Sequence, residues 1–167
     1  MKRFIVGFAL AVPLAISAAI SSPDSSFYKD AAEGGIAEVE MGNLAQQKST
    51  NPRVKSFGAM MVKDHSAANV KLKSIAAAKN IDLPTSSSIG EMASMTKLKA
   101  LSGDTFDKSY IKGMIKDHQD DIAMFQKEAA SGQDADAKTF AVATLPTLQA
   151  HLKAIQSIAE ASGLSTD

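Results

Sequence analysis

The stretch NPRVKSFGAMMVKDHSAANVKLKSIAAAKN, residues 51–80, decides the fold. Asn51-Pro52 reads as a helix N-cap followed by proline at the first helical position, where the missing N–H costs nothing. Val54, Phe57, Met61, His65, Ala68, Leu72 and Ile75 then recur at spacings of three and four, the stripe of an amphipathic helix. Asn80 and Pro84 stop it, so the spacing predicts a helix to about Lys79. A helix with one long apolar face must bury that face against others.

Partners are readable on both sides. Upstream, after a polar lead-in over residues 21–26, Phe27 to about Lys48 has a helical pattern. Gly34-Gly35 inside it predicts close contact with a neighbouring helix. Downstream, Thr85 to Ser88 is a polar connector, and Ser88 with Glu91 predicts a capping box for a short helix reaching Leu101. Ser102-Gly103 breaks the chain. Asp104 or Thr105 then caps a long helix ending near Ala130, with Ile111, Ile115, His118, Ile122, Phe125 and Ala129 as its stripe. Ser131-Gly132 breaks again. Asp134 caps a last helix, about Ala135 to Ala161, with Ala137, Phe140, Thr144, Leu148, His151, Ile155 and Ile158 on one face. Pro146 inside it predicts a kink. The expectation is all-α: a four-helix bundle with a long crossover, containing a short helix, between the second and third long helices.

Composition agrees. The 167 residues are 45% hydrophobic but only 5% aromatic, which suits a bundle better than a β-sandwich. Eighteen Lys and Arg balance eighteen Asp and Glu, and this balance argues against a nucleic-acid partner. There is no Cys, which removes disulfides, thiolate metal sites and cysteine nucleophiles together. No Gly-x-Ser-x-Gly elbow and no phosphate-binding loop occurs.

Met1-Lys2-Arg3, the apolar run Phe4 to Ala19 and the small residues 17–21 have the layout of a secretory signal peptide. The run is short for a membrane span, and Pro13 interrupts it. The expected organisation is a signal over residues 1–21, cut after Ala19 or Ser21, and one domain over residues 22–167. That domain keeps 16 basic residues against the 18 acidic ones and no stable membrane span. It is expected in the periplasm or otherwise exported, in an oligomeric state the sequence leaves open.

The chain has three histidines: His65, His118 and His151. Each falls in the apolar stripe of a different long helix, near its middle. Burying three imidazoles is costly unless each has a partner, and a shared metal ion would satisfy all three. The remaining long helix offers Glu38 or Glu40, and the stripe Phe27, Ala31, Gly34, Glu38, Met41, Ala45 favours Glu38. Asp121, one turn after His118, is a further candidate oxygen ligand. The candidate metal residues are therefore Glu38, His65, His118, His151 and Asp121, and the candidate ions are Cu, Zn or Fe. Asp64 and Asp117 precede two of the histidines but lie about 100° off the ligand direction, where they suit an outer role. Met61-Val-Lys-Asp-His65 recurs as Met114-Ile-Lys-Asp-His118. Met61 and Met114 share a face with their histidines and read first as core filler.

Phe27…Ala31-Ala32-Glu33-Gly34-Gly35…Glu38-Val39-Glu40…Gly42…Leu44-Ala45 and Val54-Lys55-Ser56-Phe57…Met61-Val62-Lys63-Asp64-His65 carry a resemblance. Phe106-Asp107…Tyr110…Met114…Asp117-His118 and Thr144-Leu145-Pro146-Thr147-Leu148…His151-Leu152 continue it. Over about residues 25–160 the chain resembles the exported bacterial proteins of domain-of-unknown-function family 4142. The resemblance implies a ferritin-like bundle and names no activity. The di-iron pattern of ferritins needs Glu-x-x-His on two helices. Here Val62, Ile115 and Leu148 stand three residues before the histidines, so ferroxidase activity is not expected. The Met-x-x-x-His repeats resemble, over short stretches, exported copper-associated helical proteins. Two readings follow: a bundle binding a metal in its core, or a structural or stress-associated envelope protein whose histidines form a polar network without metal.

Overall fold

A computed structural model describes residues 21–165, and all regular structure among them is helical. The helices are α1 (Ser22–Lys48), α2 (Pro52–Ala78), α3 (Ile89–Ala100), α4 (Gly103–Ser131) and α5 (Ala135–Ala161). The expected signal over residues 1–21 lies outside the described residues except for Ser21. Among the described residues no helix is long and apolar enough to cross a membrane.

Three boundaries behave as their caps dictate. Asn51 accepts the Arg53 N–H at 2.9 Å, Asp134 accepts those of Asp136 and Ala137, and Ser88 and Glu91 form the full capping box. Two expectations are corrected. The polar lead-in is helix, because Ser21 is itself an N-cap, accepting the Asp24 N–H at 3.4 Å, and Pro23 occupies the first turn. Neither Asp104 nor Thr105 caps α4. The helix starts at Gly103, with Ser102 in the cap position making no side-chain cap bond, and Gly103 takes a φ of 54° that glycine alone tolerates cheaply.

Short links over residues 49–51 and 132–134 make α1–α2 and α4–α5 antiparallel hairpins, and α1 also packs on α4 and α2 on α5. At one end the Tyr28 hydroxyl donates to Asp134, and Lys79 pairs with Asp134 at 2.7 Å. At the other, the Lys48 ammonium sits over the Phe106 ring. These contacts set α1 parallel to α5 and α2 parallel to α4. The crossover must therefore run the length of the bundle, and α3 lies along it, against α1 and α4. Gly42 and Gly58 form the closest crossing of α1 and α2. A Cβ on either would stand 2.6 Å from the other's carbonyl oxygen. Gly35 is likewise held close, under the Asn69 side chain, whereas Gly34 is not. Pro146 lies inside α5 on an exposed face.

The core is in two halves. One contains Phe27, Ala31, Leu72, Phe125, Phe140 and Leu148. The other contains Met41, Val54, Met61, Phe106, Met114 and Ile155. On each long helix the break between halves falls at one place: after Ala32 and before Ala37 on α1, after Met61 on α2, after Ile115 on α4, after Leu148 on α5. Glu38 and the three histidines occupy that interval or its edge.

Candidate metal centre

The stripes read from the sequence bring His65, His118 and His151 to one level, buried at 6%, 0% and 1% exposure. The three rings form a near-equilateral triangle, with centroids 5.7, 5.2 and 5.4 Å apart. One ring nitrogen from each lies within 4.8 Å of the others. His118 Nε2 and His151 Nδ1 are 3.4 Å apart. Three imidazoles on one ion at about 2.0–2.1 Å, with bond angles of about 110–120°, would set donor nitrogens about 3.3–3.6 Å apart and ring centroids about 5.2–5.5 Å apart. The His118–His151 pair already has that spacing, and His65 stands slightly farther out.

Each ring is oriented by its other nitrogen. His118 Nδ1 is 2.9 Å from the Met114 carbonyl, one turn back in α4, so that nitrogen carries the proton and Nε2 keeps a lone pair. His151 Nε2 lies 3.0 Å from the Asp64 carboxylate, which leaves Nδ1 free toward His118. His65 Nδ1 is 2.6 Å from Glu38 Oε2, and its Nε2 is buried without a partner. Carbonyl or carboxylate behind imidazole is the arrangement that fixes a metal-binding tautomer. Burial holds His65 down to about 4 and His118 to about 3, and it lowers His151 against the opposing hydrogen bond from Asp64. All three are neutral at pH 7, with lone pairs available.

Glu38, not Glu40, is the inward carboxylate. It is 2% exposed and touches two histidines, its Oε1 lying 3.4 Å from His118 Nε2. Glu40 is exposed and accepts from the Ser87 hydroxyl. Asp121 lies beside both Glu38 and His65, lining one small cavity with them. Burial pushes both carboxyls well above the usual range, and Asp117 beside Glu38 adds to the effect. A cavity of about 20 Å³ lies between Glu38, His65, Asp121 and Asn69, beside the histidine triangle.

The outer role expected of Asp64 is present, but its partner, and the state of Tyr110, escaped the sequence reading. Asp64 serves His151 on α5, not its own neighbour His65. The repeated Lys-Asp-His was the available signal, but the partner lies across the bundle. The Tyr110 hydroxyl is fully buried without a hydrogen-bond partner. Burial, with Glu38 and Asp117 near, keeps the phenol protonated. Phe57 then closes the triangle on one side, its ring 6.2 Å from His118 and 6.4 Å from His151. Glu38 Oε1, His65 Nε2 and the Tyr110 hydroxyl are thus three buried polar atoms without partners in one region. Each such atom costs about 1–3 kcal/mol unless something binds it. A cation with a bound water fits that donor set. Met61 and Met114 lie in the apolar half-core one turn from their histidines, as filler would.

Among curated proteins no sequence matches this chain. The fold has solved counterparts. A DUF305 protein from Streptomyces coelicolor superposes with a TM-score of 0.73 at 16% identity, over 87% of this chain and 96% of that one. A DUF305 fragment from Deinococcus radiodurans gives 0.73 at 11%, over 83% and 96%. CopM in its Cu(I)-bound form gives 0.69 at 16%, over 82% and 95%. At these identities the likeness concerns the fold alone. The family model described as "Domain of unknown function (DUF4142)" matches residues 9–158, and the chain belongs to that family.

Proposed function

We propose that this is an exported metal-binding bundle that holds one ion, copper first among Cu, Zn and Fe, through His65, His118 and His151. The observation that carries the reading is the convergence of three buried, neutral imidazoles from three helices. Glu38 either completes the shell through Oε1 or acts behind His65, and Asp121 backs Glu38. A polar layer across an apolar core weakens packing, and a bound ion would offset that cost. Copper is preferred because three neutral nitrogens without thiolate suit both of its oxidation states. The fold is also shared with CopM, whose structures include Cu(I)- and Cu(II)-bound forms. Storage, delivery or stress protection fits a closed shell of this kind. Export is supported by the amino-terminal layout.

The test is metal content. Purified chain, stripped and then reloaded with Cu or Zn, should retain about one ion per chain. A chain that is isolated without metal and then retains neither ion would support the polar-network reading instead.

A further inference from the structure

We propose that metal enters the histidine layer through an acidic portal between α1, α3 and α4, where Glu91, Asp117 and Asp121 surround the bare backbone of Gly34. This route rests on the metal reading of that layer and supplies what a buried layer needs, an opening that selects cations.

Gly34 is the decisive residue. Helix packing accounts for Gly35, Gly42 and Gly58, where a Cβ would collide, but not for Gly34. A Cβ there would stand 3.7 Å from Asp121 Oδ1 and 3.8 Å from Glu91 Oε1, in ordinary contact. The missing side chain therefore leaves open the space flanked by two carboxylates. Glu91 is held in place by its capping box, in which Oε2 accepts the Ser88 N–H at 2.7 Å and Oε1 stays free toward Gly34. Gly34, Glu91, Asp117 and Asp121 are all half-buried, so solvent reaches this side of the layer. Asp121 joins outside to inside. It also lines the cavity of about 20 Å³, room for one water or a bare ion, that it shares with Glu38 and His65. Those two are more than nine-tenths buried, and Glu38 Oε1 and His65 Nε2 have no hydrogen-bond partner.

The charges select a cation. Among the described residues none of Glu91, Asp117 and Asp121 forms an ion pair with Lys or Arg, and the nearby Lys116 is exposed and paired with Asp120. The charge of Glu91 acts on Asp117 and Glu38, and that of Asp117 on Asp121 and Glu38, so the carboxyls form one connected field from surface to cavity. A cleft lined by one sign of charge concentrates counter-ions and raises their entry rate. The α2–α5 side has no such lining. There Phe57 closes the layer, and Asp64 is already bonded to His151 Nε2. The groove outside Phe57, with Met60 and Ala154 in its walls, carries Arg53 and no carboxylate.

Stopped-flow loading of the stripped chain with Cu(II), followed by quenching of tyrosine emission, tests this. Gly34→Leu plugs the opening without touching the shell. It should slow loading at least about tenfold and slow release into a chelator by the same factor, leaving the equilibrium affinity within about twofold of the parent. Glu91→Gln, which can keep the capping box, should slow loading about threefold and flatten its dependence on ionic strength. It keeps the test open if Gly34→Leu does not fold. Ala154→Leu, which fills the α2–α5 groove instead, should load at the parent rate. A parent chain that takes up no copper overturns the metal centre and the portal together. A parent chain that loads copper overturns the portal alone if Gly34→Leu or Glu91→Gln loads as fast as it does, if Gly34→Leu changes affinity rather than rates, or if Ala154→Leu is the variant that slows entry.

Discussion

Replacing His118 with leucine separates a metal centre from a structural polar layer, because the two assign opposite consequences to the same side chain. In the metal-free protein His118 is neutral and fully buried, and its one short hydrogen bond goes to the Met114 carbonyl of its own helix. Losing that bond costs about 1 kcal/mol. A leucine of similar volume at a site with no exposure returns about 1–2 kcal/mol of apolar burial. The net change in apo stability is therefore within about 1 kcal/mol, or about 4 °C in Tm. Metal binding should suffer far more. Removing even an outer partner of a ligand costs about 10–100-fold, so deleting one of three imidazoles should cost at least about 100-fold, about 2.7 kcal/mol. Calorimetry of the apo forms and copper competition against a chelator read the two quantities separately. An apo loss above about 3 kcal/mol, or copper affinity within threefold of the parent chain, would refute the argument.

Asp64→Asn removes the carboxylate behind His151 Nε2 and should weaken metal about 10–100-fold without altering stoichiometry, measured by the same competition. Apo stability should respond to pH in two opposed ways. His65 and His118 have depressed folded pKa values, so their contribution falls as pH drops from about 6.5 toward 4 and 3. Glu38 has a raised one, so its contribution is full below about 4.5 and is lost as pH rises through its folded value. Glu38→Gln should therefore steepen the acid loss between pH 6.5 and 4, and denaturant titration across that range reads it. Gly58→Ala should destabilise by about 2 kcal/mol or more at the 2.6 Å crossing, whereas Gly113→Ala, with nothing within 4 Å of the new Cβ, should stabilise by about 0.5–1 kcal/mol in thermal unfolding.

Much of this molecule is legible without coordinates because its helices obey local rules. The Asn51, Ser88 and Asp134 caps act where side-chain chemistry places them, and the apolar stripes put all three histidines inside. Ser21 was harder to read, since a polar lead-in and a capped helical first turn share a composition. The start of α4 depends on the conformation of Gly103 rather than on a capping side chain, so Asp104 and Thr105 misled. In the site, the face of α1 chose Glu38. Asp64 and Asp121 each act on a residue of another helix, Asp64 on His151 and Asp121 on Glu38. Those pairings depend on which helices are neighbours and at what height, and one-dimensional spacing does not contain that. The Tyr110 hydroxyl is invisible for a similar reason: a tyrosine in an apolar stripe looks like core until its oxygen is found without a partner.

X-ray absorption on the copper-loaded chain tests the central claim most directly. Three imidazole nitrogens at about 2.0 Å, with their outer-shell scattering and at most one oxygen, is the predicted first shell. A shell dominated by methionine sulfur, or by oxygens with fewer than two imidazoles, would contradict it.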